Sequence, residues 1–215
     1  MYRMSVKYDN WNEWYLNEKD KNGKEYIYGT IHPAGYNKDE KEWLTSGKIA
    51  SDNTINEISL KKKESVLEYG CGAGRILRHL KKYNSYGVDI VEDFVLESRK
   101  LGCKSYLLEN FSRRVDKVFS LTVFIHLRKE QAITALKYIH KHLKKNGTAY
   151  IQALIYQKDK DATNFSDMTS YRKETFVKMC EDNGFRILNI YENHGDIDKQ
   201  EYGENHNRYQ VLEKI

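Results

Sequence analysis

From residue 64 onward, short apolar runs alternate with stretches whose apolar residues recur every three or four positions. The runs predict strands over 66–68, 86–90, 104–108 and 115–123, the last apolar on both faces as a central parallel strand is. Between them, 75–83 and 91–101 predict helices, the second with Val91, Phe94, Val95, Ser98 and Leu101 on one face. A further helix over 129–143 carries Ile133, Leu136, Ile139, His140 and Leu143 on one side. Asn146-Gly147 caps it, and a fifth strand follows over 148–155. A polar stretch over 157–170 is long for a connection in a compact domain. A helix over 172–183, with Gly184 as its C-cap, leads to closing strands over 185–191 and 209–212. Alternation of this kind predicts a doubly wound α/β domain. The first 62 residues do not share it. They hold all three tryptophans (Trp11, Trp14 and Trp43) and a helical run that ends near Ile58.

One connection is chemically specific. The first strand ends in Glu68 and passes into Gly70-Cys-Gly72-Ala-Gly74, and the second ends in Asp89. Strand, glycine loop, helix and a closing carboxylate make a crevice for an adenosine-containing cofactor. Glycine lets the backbone turn sharply and approach a ligand closely, and the acid is placed to accept from two ribose hydroxyls. A dinucleotide loop reads Gly-x-Gly-x-x-Gly, but here Arg75 and Ile76 stand where its third glycine belongs. Glu68 would repel a pyrophosphate and suits a ligand bearing an ammonium or sulfonium. That chemistry favours S-adenosylmethionine over NAD.

The segment Glu68-Tyr-Gly70-Cys-Gly72-Ala-Gly74-Arg75 resembles the glycine-rich motif of the class I S-adenosylmethionine-dependent methyltransferases. Tyr86-Gly-Val-Asp89-Ile90 is similar to their ribose-binding motif. The run from Val115 through Leu121 to His126-Leu127 is similar to their fourth strand, and Leu143 through Gly147 to Gln152 to their fifth. The resemblance implies a Rossmann-like, mostly parallel seven-stranded sheet with an antiparallel closing strand, over residues 63–215. It also implies an N-terminal cap, residues 1–62, that folds over the cofactor and shapes the substrate pocket. Its cofactor would be S-adenosylmethionine, held by Glu68, Gly70, Gly72, Gly74, Asp89, Ile90 and Leu121. Glu109 or Asn110 would read the adenine amino group, and Phe111 would cover the ring face. Two rivals are a cofactor-binding module without catalysis and a dinucleotide-binding protein.

The remaining features narrow the partner. A net charge of +5 is small against 36 basic and 31 acidic residues. Lys61-Lys62-Lys63, Lys81-Lys82 and Lys144-Lys145 are scattered between elements and read as solvated faces, not a nucleic-acid track. Cys71, Cys103 and Cys180 form no Cys-x-x-Cys pair, which fits reduced thiols in a cytoplasm-like compartment. No stretch approaches the roughly 18 apolar residues that span a membrane, and residues 1–16 lack an apolar signal core. Pro33 is the only proline, so the Asp/Asn-Pro-Pro-aromatic motif of base-amino methyltransferases and the Pro-Cys of cytosine C5 enzymes are both absent. No His-x₃-His spacing points to a metal. The acceptor is expected to be a small molecule or a sugar, methylated on oxygen or nitrogen. His126, just past the fourth strand at the edge where ligands bind, is the first candidate base. His32, in Thr30-Ile-His32-Pro33, is the second. Nothing in the pattern assigns an oligomeric state.

Overall fold

The computed structural model describes residues 40–163, 168–191 and 207–215. Helix α1 spans Glu40–Glu57 and leads to strand β1, Ser65–Tyr69. Strand β2 is Asn84–Asp89, helix α2 Glu92–Lys100, strand β3 Ser105–Leu107 and strand β4 Val115–Ser120. Helix α3, Lys129–His142, runs into β5, Leu143–Ile155. The short β6, Ser170–Tyr171, precedes α4, Lys173–Glu181, and the closing strands β7, Phe185–Tyr191, and β8, Asn207–Lys214.

The strands form one sheet in the order β3-β2-β1-β4-β5-β8-β7, with β6 beside the end of β5. All pairs from β3 to β5 are parallel, and β8 alone runs against its two neighbours. This is the doubly wound sheet that the alternation predicts, with the antiparallel closing strand that the resemblance implies. Alternate residues of each strand feed two cores. Val66, Phe119 and Tyr150 face Ala50 and Ile58 of the α1 side together with Ile76 and Leu80. Leu67, Val118 and Ile151 face Leu136 and Ile139 of α3 and Phe176 of α4. A fully buried side chain of this size contributes about 1.5–3 kcal/mol, so the sheet is held from both faces.

Two connections depart from expectation, and a third is short for a parallel crossover. The helix expected over 75–83 is only a 3-10 turn, Leu77–Leu80. The chain here closes on i to i+3 bonds, from Gly74 N to Cys71 O, His79 N to Ile76 O and Tyr83 N to Leu80 O. Strand β5 begins five residues early: Leu143 pairs with Val115 before the Asn146-Gly147 kink, and Thr148 pairs with Lys117 after it. Asn146 takes a φ of 60°, so the expected turn is present, and the ladder breaks at it and resumes beyond with a shifted register. Finally, residues 108–114 cross from the end of β3 to the start of β4 with no helix beyond the 3-10 turn Leu108–Asn110. Packed rings fill the space beneath: Phe111 meets Tyr86, Tyr106 and His142 at centroid distances of 5.6, 5.7 and 5.2 Å.

Helix α1, within the segment expected to form a cap, packs directly on the loop after β1. Trp43 is 1% exposed among Ala73, Val91 and Phe94. A Cβ at Gly47 would collide with the Arg75 carbonyl oxygen, so glycine permits this close approach.

Candidate cofactor crevice and acceptor site

The loop after β1 is built on left-handed glycines. Gly70, Gly72 and Gly74 have φ values of 78°, 50° and 87°. Side chains rarely adopt this region, and at Gly70 a Cβ would also run into the Cγ2 of Val123. The N–H groups of Gly70 and Cys71 both donate to the Val88 carbonyl, at 2.8 and 3.0 Å. The loop is thereby drawn against the end of β2, where Asp89 stands. Gly72 N donates to Asp89 Oδ2 at 2.8 Å and Val91 N to Oδ1 at 3.0 Å. A carboxylate offers about four acceptor sites, so Asp89 keeps acceptor capacity beyond these bonds. Burial raises the Asp89 carboxyl above its ordinary value, against the lowering effect of those backbone bonds.

Glu68 sits two residues before the first glycine and is 4% exposed. Its Oε2 has no hydrogen-bond partner among the described residues. Burial pushes its carboxyl well above the ordinary value of 4.5, the Arg75 guanidinium pulls it back, and the Asp89 charge adds to the rise. A buried carboxylate oxygen without a donor is costly, and a cationic group of a ligand would relieve that cost. The donor set therefore fits the sulfonium or ammonium of an adenosyl-methionyl ligand and opposes a pyrophosphate. Tyr69, next along the chain, has its hydroxyl pushed up to about 12 by burial and by Asp89, so it stays protonated as a donor.

Ile90 lies 47% exposed beside Asp89, and Glu109 and Asn110 are exposed on the 3-10 turn after β3. These three remain on the carboxyl edge. Phe111 does not fit its expected role. It is 4% exposed inside the ring cluster of Tyr86, Tyr106 and His142, because the short crossover turns it into the core. No face is left to cover an adenine. Leu121 is likewise 8% exposed in the α1-side core, which leaves its backbone, not its side chain, for any ligand.

The chain after β4 turns sharply. Thr122 has a φ of 59°, and its N–H donates to Oε1 of Gln152 on β5 at 2.6 Å. Val123 then begins the 3-10 turn Phe124–His126, with His126 N donating to Val123 O at 2.9 Å. His126 is thus half-buried on the carboxyl edge, close in chain to the residue that packs on Gly70. The flanking loop is pinned at several points. Thr169 N donates to Ile125 O at 2.8 Å, and Asp161 accepts from Lys129 N at 2.8 Å. Asp159 accepts from Arg172 N at 2.7 Å and from Thr175 Oγ1 at 2.9 Å, capping α4. The described part of the stretch 157–170 therefore forms a fixed wall beside His126. His32 and residues 1–39 lie outside the described residues. Nothing in the sequence pattern marks Thr122 and Gln152, since their bond joins positions 30 residues apart. Among the described residues, no group of His, Cys, Asp and Glu is arranged to hold a metal, and no helix is long and apolar enough to cross a membrane.

Comparison with known proteins places this geometry. The chain matches a family model described as a methyltransferase domain over residues 47–190. No curated protein matches it by sequence. It is similar in structure to magnesium protoporphyrin IX methyltransferase from Synechocystis PCC 6803 with bound S-adenosylmethionine, at 14% identity and a TM-score of 0.65, over 98% of this chain and 100% of that one. A TehB-like S-adenosylmethionine-dependent methyltransferase from Corynebacterium glutamicum is similar at 19% identity and a TM-score of 0.57, over 77% and 88% of the two chains. An S-adenosylmethionine-dependent methyltransferase from Clostridium acetobutylicum is similar at 15% identity and a TM-score of 0.57, over 95% and 99%.

Proposed function

The chain belongs to the methyltransferase domain family, and we propose that it moves a methyl group from S-adenosylmethionine to an oxygen or nitrogen of a small-molecule or sugar-type acceptor. The observation that carries this reading is the buried oxygen of Glu68, without a hydrogen-bond partner among the described residues, beside a loop of left-handed glycines tied to Asp89. When bound, S-adenosylmethionine supplies an electrophilic methyl on a sulfonium with an excellent leaving group. The protein's share of the work is alignment, exclusion of water and, where the acceptor carries a proton, a base.

In this reading Asp89 accepts from both ribose hydroxyls through the lone pairs that Gly72 and Val91 leave open. Ile90 lies against one face of the adenine, and Glu109 or Asn110 accepts from its amino group. The glycine loop gives the methionyl part room, and Glu68 meets its positive charge. His126 takes the proton from the acceptor, with His32 of the N-terminal segment as the alternative base. Residues 1–62 and the described part of the stretch 157–170 bound the acceptor pocket. An acceptor oxygen that is already ionised would need neither histidine.

Calorimetry with S-adenosylhomocysteine and with NAD tests the crevice. We expect the first to bind and the second not to, and the reverse pattern would sink the reading. Incubation of a metabolite extract with methyl-labelled cofactor, followed by mass spectrometry, then identifies the acceptor. Label appearing only on nucleic acid would overturn the acceptor class.

A further inference from the structure

We propose that Gln152 is a positioning residue of the crevice, holding Thr122 in a left-handed turn that seats Val123 on Gly70 and sets the 3-10 turn bearing His126. The proposal rests on the cofactor reading above. Threonine is β-branched, and a φ of 59° is an outlier for such a residue, so something outside the turn must impose it. The bond from Thr122 N to Gln152 Oε1, at 2.6 Å, is the bond that can do so. Gln152 is 2% exposed and fixed on β5, with its Cα paired to Tyr209 of β8. That places the acceptor atom on the sheet and not on a loop. The donor is a backbone N–H, so the side-chain oxygen, not the nitrogen, must face it.

Two contacts carry the geometry of the turn to the site. On one side Val123 fills the volume where a Gly70 side chain would lie, so the turn braces the first glycine of the loop. On the other, Val123 O accepts from His126 N, so the same residue opens the 3-10 turn. A further bond, Ser120 Oγ to Tyr69 O at 3.0 Å, locks the end of β4 to the end of β1 just before the turn. Thr122 Oγ1 donates to Leu121 O at 2.7 Å, which ties the hydroxyl locally and leaves Gln152 to orient the backbone. Residues held in sparsely populated conformations persist where their surroundings over-determine them, and they cluster at binding sites. Losing the amide acceptor releases Thr122 to an ordinary conformation, and Val123 then leaves Gly70.

The test is binding of S-adenosylhomocysteine by calorimetry, at a temperature where circular dichroism shows every variant folded. Gln152→Met keeps the side chain's length without the acceptor, and Gln152→Asn keeps the amide but falls short of Thr122. Each should weaken binding by about tenfold or more, because a buried N–H is left unpaired and the loop loses its brace. Adding Thr122→Gly to Gln152→Met should recover most of that loss, since glycine takes the left-handed turn unaided. Wild-type protein that binds, with both single variants within about twofold of it, overturns the role of Gln152 alone. A lowered melting temperature with unchanged affinity does the same, since it marks a merely structural bond. Wild-type protein that fails to bind overturns the cofactor reading and the proposal with it. Gln152→Asn carries the test if Gln152→Met does not fold.

Discussion

The two edges of one sheet treat their carboxylates in opposite ways. At the amino edge, Asp116 accepts from Ser65 N and Oγ at 2.8 and 2.6 Å and from Lys144, and its carboxyl is lowered to about 2. Lys214 Nζ donates to the His140 and Leu143 carbonyls at 2.7 and 3.0 Å, closing the end of α3. His142 Nδ1 meets Arg113 O at 2.8 Å. At the carboxyl edge the same strands end in left-handed glycines, a left-handed threonine and a buried carboxylate oxygen with no partner among the described residues. Burial there raises the Glu68 and Asp89 carboxyls. Asp116 has its donors within the fold, whereas the buried Glu68 oxygen lies where a ligand can supply one.

Substitutions at the two edges should therefore separate binding from stability. The largest effect is expected at His126: His126→Asn should cut turnover by about 10²–10⁴ and leave S-adenosylhomocysteine affinity nearly unchanged. A rate within a few-fold of wild type removes His126 from the mechanism, and joint loss of affinity makes it part of the crevice. Asp89→Ala should weaken the cofactor by about 1.5–3 kcal/mol, the range for hydrogen bonds to a charged partner; calorimetry checks it, and an unchanged affinity refutes the ribose assignment. At the amino edge the expectation inverts. Asp116→Asn should leave affinity alone and cost about 1 kcal/mol of stability, discounted because Lys144 is half exposed.

The pH dependence of that loss has a definite sign. The folded Asp116 carboxyl lies below its ordinary 3.8, so its stabilisation is present above that value and disappears as pH falls toward about 2. Glu68 runs the other way. Its folded carboxyl lies above 4.5, so the ligand-free protein holds an extra proton and loses stability as pH rises from about there. Glu68→Gln should raise the melting temperature at neutral pH by a few degrees, about 2–4 °C per kcal/mol for a chain of this size. The gain should shrink in acid, and cofactor binding should weaken. A melting temperature unchanged at every pH would show that Glu68 is not strained.

Much of the candidate site is legible in the sequence because it is local. Glu68, the three glycines and Asp89 are set by strand ends and a short loop, and the structure brings them together as expected. What escaped depends on contacts distant in sequence. Phe111 looked available beside Glu109 and Asn110, and only a helix-free crossover explains why it faces Tyr86 and His142. The helix expected over 75–83 had the right apolar spacing, but the tight bonding around Gly74 and Ile76 leaves a 3-10 turn. Gln152 and Thr122 are 30 positions apart, and no pattern along the chain announces their bond. The lysine runs read as scattered in fact enter the sheet at one edge, before β1, before β2 and at the start of β5.

The crossover over residues 108–114 also works as a tether. It must travel about 14 Å sideways, three strand spacings, and about 20 Å back along β4, while a chain advances at most about 3.3–3.6 Å per residue. With one turn of it wound into Leu108–Asn110, almost no slack remains. The end of β3 therefore cannot drift from the crevice without pulling on the start of β4. Lengthening the segment would loosen the side of the crevice proposed for the adenine, whereas shortening it by a single residue would unwind the turn that presents Glu109 and Asn110.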